Sequence, residues 1–115
     1  MICIYCLGIK NPELRLQVKN TEERMFFDVG EKAFIDQQNS MLGRSESESL
    51  LTHIICPTLV IHSVRDKIFT LKEHEELVNQ IQNAKLALVD DSGHMTPVEM
   101  PQTITSLLRF WLHYF

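Results

Sequence analysis

Two residues are placed where this sequence could do acid–base chemistry. Asp66 stands four residues beyond a short β-branched run, Thr58-Leu59-Val60-Ile61-His62, and His94 lies in Asp91-Ser92-Gly93-His94, just past a second apolar run at 84–89. A carboxylate can accept a hydrogen bond from one imidazole nitrogen, which leaves the other nitrogen free to take a proton from a nucleophile. Gly93 suits a tight turn directly ahead of such a base. The rival sites are weaker. Cys3 and Cys6 form a C-x-x-C, but no second pair completes a tetrahedral zinc set, and a redox C-x-x-C opens a helix after a strand. They are expected to be apolar residues of a strand-like run. No two histidines stand four apart on a helix, and Asp90-Asp91 before Gly93 has the composition of a turn. The expectation is therefore no metal and no cofactor. His62 is expected to be a packed or edge histidine, His53 and His74 to face solvent, and His113 to lie near a frayed end.

The elements that must position Asp66 and His94 follow from periodicity. Residues 58–62 and 84–89 have the composition of strands buried on both faces, as inside parallel sheets. Residues 72–82 carry Leu77, Val78 and Ile81 at helical spacing, 90–101 form a loop with Gly93, Pro97 and Pro101, and 102–113 form an amphipathic helix packed through Phe110, Trp111 and Leu112. Strand, helix, strand, helix is the signature of an α/β fold with a parallel sheet. Ligands of such sheets bind outside the carboxyl ends of the strands, where both Asp66 and His94 would lie. Upstream, residues 1–9 suggest a short strand or the tail of something longer and Asn11-Pro12 a breaker, while 12–20 show no period. A helix is expected from a Thr21 cap to Leu42, with Gly30 inside it at a cost of about 1 kcal/mol relative to Ala. Its apolar face, Met25, Phe26, Phe27 and Phe34, is expected to pack in a core. Residues 45–49 form a polar loop or the entry to a short helix ending at Ile54.

Composition sets the limits. The 115 residues suffice for one ordinary domain, and 44% hydrophobic with 23% charged is usual for a globular chain. Residues 1–57 carry six basic and eight acidic side chains, and 58–115 carry five and seven. With no basic stripe, neither nucleic acid nor an anionic membrane is an expected partner. No run of about 18 apolar residues occurs, the first nine residues lack a basic leader, and the cysteine count is odd. A reduced, cytoplasmic protein is the expectation.

Ile55-Cys56-Pro57-Thr58-Leu59-Val60-Ile61-His62 with Asp66 resembles the I-x-C-P-T-L-V-I-x-G-x-x-D segment of α/β-hydrolases, and Gly93-His94-Met95 with Glu99-x-Pro101 resembles their terminal G-H-x-x-x-x-E-x-P segment. Residues 34–44 are similar to the last cap-domain helix of many bacterial members; because that cap helix faces the substrate cleft, the resemblance offers a lipophilic pocket wall as the alternative to core packing for Met25, Phe26, Phe27 and Phe34. The resemblance covers residues 34–111. It implies a partial α/β-hydrolase fold, with the end of a cap helix and the last two parallel strands with their helices. Residues 1–50 would be an N-terminal segment with a cap-like helix and 51–115 the C-terminal α/β-hydrolase segment. It further implies a Ser-His-Asp hydrolase acting on a small ester-like substrate, in which Asp66 orients His94 and His94 is the general base; Glu99 would hold the His94 loop. Ser63 stands where the family usually has Gly.

No G-x-S-x-G nucleophile elbow begins at Gly8, Gly30, Gly43 or Gly93, and the family's oxyanion-hole segment is absent. The chain alone is therefore expected to be inactive, partnered by a second copy of itself or by the N-terminal half of the fold. Three alternatives accompany this reading: an Asp-nucleophile enzyme like dehalogenases and epoxide hydrolases, a split hydrolase, and a non-catalytic oligomerisation or interaction remnant.

Overall fold

The computed structural model describes residues 4–114. Asn11 opens the first helix rather than breaking the chain. Its side-chain oxygen accepts the backbone N–H groups of Glu13 at 2.9 Å and Leu14 at 3.2 Å. Pro12 occupies the first turn, where no N–H is needed, so α1 runs Pro12–Val29. Thr21, expected as the cap, lies inside this helix and donates its hydroxyl to Gln17 O. Gly30, at φ 80° and ψ 161°, divides the expected single helix in two, and α2 runs Glu31–Leu42. That backbone region is nearly confined to glycine.

A 3-10 turn at Glu48–His53 leads to β1, Thr58–Ser63. The helix α3, Leu71–Gln80, starts at a reciprocal cap: Thr70 accepts the N–H of Glu73, and Glu73 accepts the N–H and hydroxyl of Thr70. Those two bonds hold the Glu73 carboxyl below its ordinary pKa. β2, Ala84–Val89, returns parallel to β1 in register from Thr58↔Ala84 to Ser63↔Val89. The expected loop at 90–101 contains a short helix, α4, Thr96–Glu99, and α5 runs Pro101–Tyr114. Strand, crossover helix and parallel strand thus form the α/β unit that the sequence led us to expect.

Several packing expectations are corrected. Residues 4–6 form a 3-10 turn, not a strand, and Cys3 of the C-x-x-C lies outside the described residues. Cys6 is buried with Ile9 and Val18 as an apolar core residue, flanked by Leu14, Met95 and Val98. Leu88 on β2 is 53% exposed, because α3 packs on the two strands and the opposite face is only partly covered. Phe110 and Leu112 of α5 are likewise exposed rather than packed.

The accessible surface is 8784 Å². That is about a third more than the roughly 6,500 Å² of a compact monomer of this mass. The radius of gyration is 16.0 Å, against about 13 Å for a compact chain of this length. Among the described residues no helix is long and apolar enough to cross a membrane.

Candidate active site

The β1–β2 ladder continues past the strand ends and brings the two loops together. Val64 N–H donates to Val89 O at 3.0 Å and Arg65 N–H to Ser92 O at 3.1 Å. The next residue along the first loop is Asp66. Its Oδ2 lies 3.0 Å from His94 Nδ1, although the two are 28 residues apart. The other oxygen, Oδ1, accepts the backbone N–H of Ile68 at 2.7 Å and of Phe69 at 3.2 Å. The Asp66 side chain is 7% exposed and that of His94 24%. Burial pushes the Asp66 carboxyl up, but the bonds from His94, Ile68 and Phe69 together outweigh it and hold the pKa below its ordinary value. An ionised carboxylate only accepts, so in the neutral imidazole the proton sits on Nδ1. Among the described residues Nε2 has no hydrogen-bond partner.

The His94 loop is fixed from below by Glu99, which is 6% exposed. Glu99 Oε2 accepts Gly93 N–H at 2.7 Å and Oε1 accepts Met95 N–H at 3.0 Å, the holding task expected from the sequence. Gly93 sits in a tight space: a Cβ would lie 3.1 Å from Leu7 O and 3.2 Å from Glu99 Oε1, so those neighbours would have to give by a few tenths of an ångström. The left-handed residue of the turn is Asp91, at φ 60°. Asp91 also pairs with Arg65, an ion pair open to solvent and of modest energy. A second close approach seats the N-terminal segment, since Gly8, at φ 95°, lies where a Cβ would be 2.3 Å from Arg65 O.

Two rings flank the imidazole. Tyr5 stacks on His94 with centroids 5.2 Å apart and planes at 26°, and Phe69 lies 5.7 Å away at 37°. Beside His94 opens a cavity of about 400 Å³ whose lining includes Tyr5, Met25, Phe26, Val29 and Phe34. Met25 and Phe26 are 52% and 48% exposed, so Met25, Phe26 and Phe34 form a cavity wall, the alternative the resemblance offered, rather than core. His62 is buried, and its ring lies 4.6 Å from that of His74. Burial first, and then the neighbouring His74, lower the His62 pKa. His74 is half-buried rather than solvent-facing, and its Nδ1–H donates to Thr70 O. Among the described residues no three His, Cys, Asp or Glu side chains are grouped to hold a metal ion.

Sequence reasoning missed Tyr5, Phe69, Arg65 and the buried hydroxyls of Ser63 and Thr96. Tyr5 and Phe69 reach His94 from distant parts of the chain, with no periodic signal. Thr96-Pro97-Val98-Glu99 carries the pattern of a helix start, and it is the one local cue that this loop is ordered.

No family model matches the chain. The curated relatives include "Protein ABHD8" of Homo sapiens, 32% identical over 56 residues, which are 49% of this chain and 13% of that protein. Among solved structures, a thermophilic esterase from Thermogutta terrifontis is 34% identical with a TM-score of 0.61, over 64% of this chain and 27% of that one. MGS-M2, an α/β hydrolase from a Medee basin deep-sea metagenome library, is 25% identical with a TM-score of 0.67, over 94% of this chain and 42% of that one. The chain thus spans between 13% and 42% of the length of these three proteins. The likeness to MGS-M2 extends over nearly all of this chain. The chain is similar to α/β hydrolases and has a partial α/β-hydrolase fold, helices packed about two parallel strands.

Proposed function

We propose that Asp66 and His94 are the acid and general base of an ester or acyl hydrolysis, working with a nucleophile that these 115 residues do not contain. The 3.0 Å bond between His94 Nδ1 and Asp66 Oδ2, at the carboxyl ends of adjacent parallel strands, carries this reading. With Nδ1 committed to Asp66, Nε2 takes the hydroxyl proton as the nucleophile attacks the carbonyl. Asp66 stays ionised, because its bonds hold its pKa low, and it stabilises the imidazolium that forms. His94 then returns the proton to the leaving alcohol and activates the water that releases the acyl group. The similar Thermogutta terrifontis protein is described as an esterase, which supports an ester as the substrate class.

Within this reading, residues 1–50 are the cap-like segment that lines the cavity, and residues 51–115 supply the acid–base pair. The excess accessible surface and the two-stranded sheet support a companion that completes the sheet, either a second copy or the remainder of the fold. Loss of the nucleophile alone costs on the order of 10⁶-fold in rate where it has been measured in a serine protease. The chain by itself is therefore expected neither to hydrolyse a p-nitrophenyl ester nor to take up a fluorophosphonate. Combined with a polypeptide carrying a G-x-S-x-G elbow, it is expected to do both, and His94→Ala should abolish the hydrolysis. Hydrolysis that survives His94→Ala would overturn the assignment. Hydrolysis without fluorophosphonate uptake would keep the acid–base pair and replace the serine with a carboxylate nucleophile.

A further inference from the structure

Three successive peptide groups around His94 are tied by side chains. The N–H of Gly93 and the N–H of Met95 go to the two oxygens of Glu99. The carbonyl between them, Gly93 O, accepts the hydroxyl of Thr96 at 3.2 Å and, at 3.4 Å, that of its neighbour Ser92. Each peptide plane is held, so the backbone angles of Gly93 and His94 are fixed, and with them the direction in which the imidazole leaves the chain. Glu99 accounts for two of the three ties from within the loop's own segment. The third leads elsewhere.

Thr96 Oγ1 has one proton, and it goes to Gly93 O. With that proton so placed, its bond with Ser63 Oγ uses the proton of Ser63, although either hydroxyl could donate across it. Ser63 is the last residue of β1, three before Asp66, and both hydroxyls are buried, at 4% and 6% exposure. The chain Ser63 O–H to Thr96 O–H to Gly93 O therefore spans from the strand that delivers Asp66 to the peptide that delivers His94. Buried hydroxyls without a partner are costly, so both are held in this arrangement.

We infer that Ser63 and Thr96 form a hydroxyl latch that sets the separation of Asp66 from His94, and that both act as positioning residues for the pair. This rests on the reading of Asp66 and His94 as acid and base, and it adds residues that touch neither substrate nor nucleophile. Glu99 fixes the shape of the His94 loop, whereas the latch fixes where that loop sits relative to β1. A serine at position 63 has a donor for this purpose, which the glycine expected there by resemblance does not.

The test is the ring tautomer of His94, read from its ring-nitrogen chemical shifts at mildly alkaline pH in the full chain. The wild-type ring is expected to hold its proton on Nδ1, facing Asp66. Thr96→Val keeps the shape and removes the donor, and Ser63→Ala removes the other half of the latch. Each is expected to shift the majority of molecules to the Nε2–H form preferred by free imidazole, while Thr96→Ser restores the Nδ1–H form. A purely structural role would lower stability in Thr96→Val and leave the tautomer of the folded molecules unchanged. That result, or a failure of Thr96→Ser to restore the tautomer lost in Thr96→Val, overturns the latch. If Thr96→Val does not fold, Ser63→Ala decides by the same readout. A wild-type ring on Nε2–H would instead contradict the Asp66–His94 bond itself, and so the reading on which the latch rests.

Discussion

Replacing Glu99 with Gln keeps the size of the side chain and changes only its hydrogen bonding. The carboxylate accepts two backbone N–H groups, from Gly93 at 2.7 Å and Met95 at 3.0 Å, while 6% exposed. Hydrogen bonds to a charged group contribute about 1.5–3 kcal/mol each. A glutamine retains one acceptor, so one bond falls to the neutral value of about 1 kcal/mol. Its amide nitrogen then faces a second N–H donor, and that buried N–H loses its partner at about 1–3 kcal/mol. The sum is a destabilisation of roughly 3 kcal/mol, a large share of the stability of a small domain. In urea, with a slope of about 1.5 kcal/mol/M, the unfolding midpoint should fall by about 2 M. The control is Glu76→Gln, whose partner Lys72 lies 3.6 Å away with both side chains exposed, and it should move the midpoint little. If the midpoints of Glu99→Gln and Glu76→Gln agree, the loop is not held by Glu99 and the reasoning fails.

Three further outcomes are expected. The folded pKa of His62 lies below its ordinary 6.5. Within that window the unfolded chain binds a proton the folded one does not, so stability should fall as the pH drops, by at most about 1.4 kcal/mol per unit. His62→Phe should flatten that slope in thermal melts; an unchanged slope would refute the assignment. Gly8→Ala should destabilise more than Gly30→Ala in chemical denaturation. Both have positive φ, but a Cβ at Gly8 would lie 2.3 Å from Arg65 O, while at Gly30 nothing lies within 4 Å and the cost is about 1–3 kcal/mol of backbone strain. Equal costs would show that the N-terminal segment does not seat on the Asp66 loop. Light scattering should find the isolated chain associated, since its sheet edges and excess apolar surface are open. A monodisperse, stable monomer would contradict that expectation.

What could be read in the sequence was what local chemistry decides. β2 falls at 84–89 because Ala84, Leu86, Leu88 and Val89 lie between turn-forming neighbours, and β1 extends only one residue beyond its apolar run. The parallel pairing followed from the helix between the strands, and the approach of Asp66 to His94 followed from the parallel pairing. The errors have physical causes. Asn11-Pro12 was expected to break the chain, yet Asn before Pro is also a helix cap followed by a first-turn proline, and nothing local separates the two. Gly30 inside a periodic pattern is compatible with one helix or with two, and the choice depends on a φ that composition does not reveal. The aromatic flanks of His94 and the Ser63–Thr96 latch depend on side chains far apart in the chain, which periodicity does not reach.

The most direct measurement is a double-mutant cycle on ester hydrolysis, with Asp66→Asn, His94→Ala and both together, in the polypeptide or assembly that supplies the nucleophile. Two groups acting as one acid–base device are strongly non-additive. Each single change should lower kcat by on the order of 10³-fold or more, and the double variant should be no slower than His94→Ala alone. Losses that multiply, or a wild-type rate retained by His94→Ala, would contradict the assignment of Asp66 and His94 as one catalytic pair.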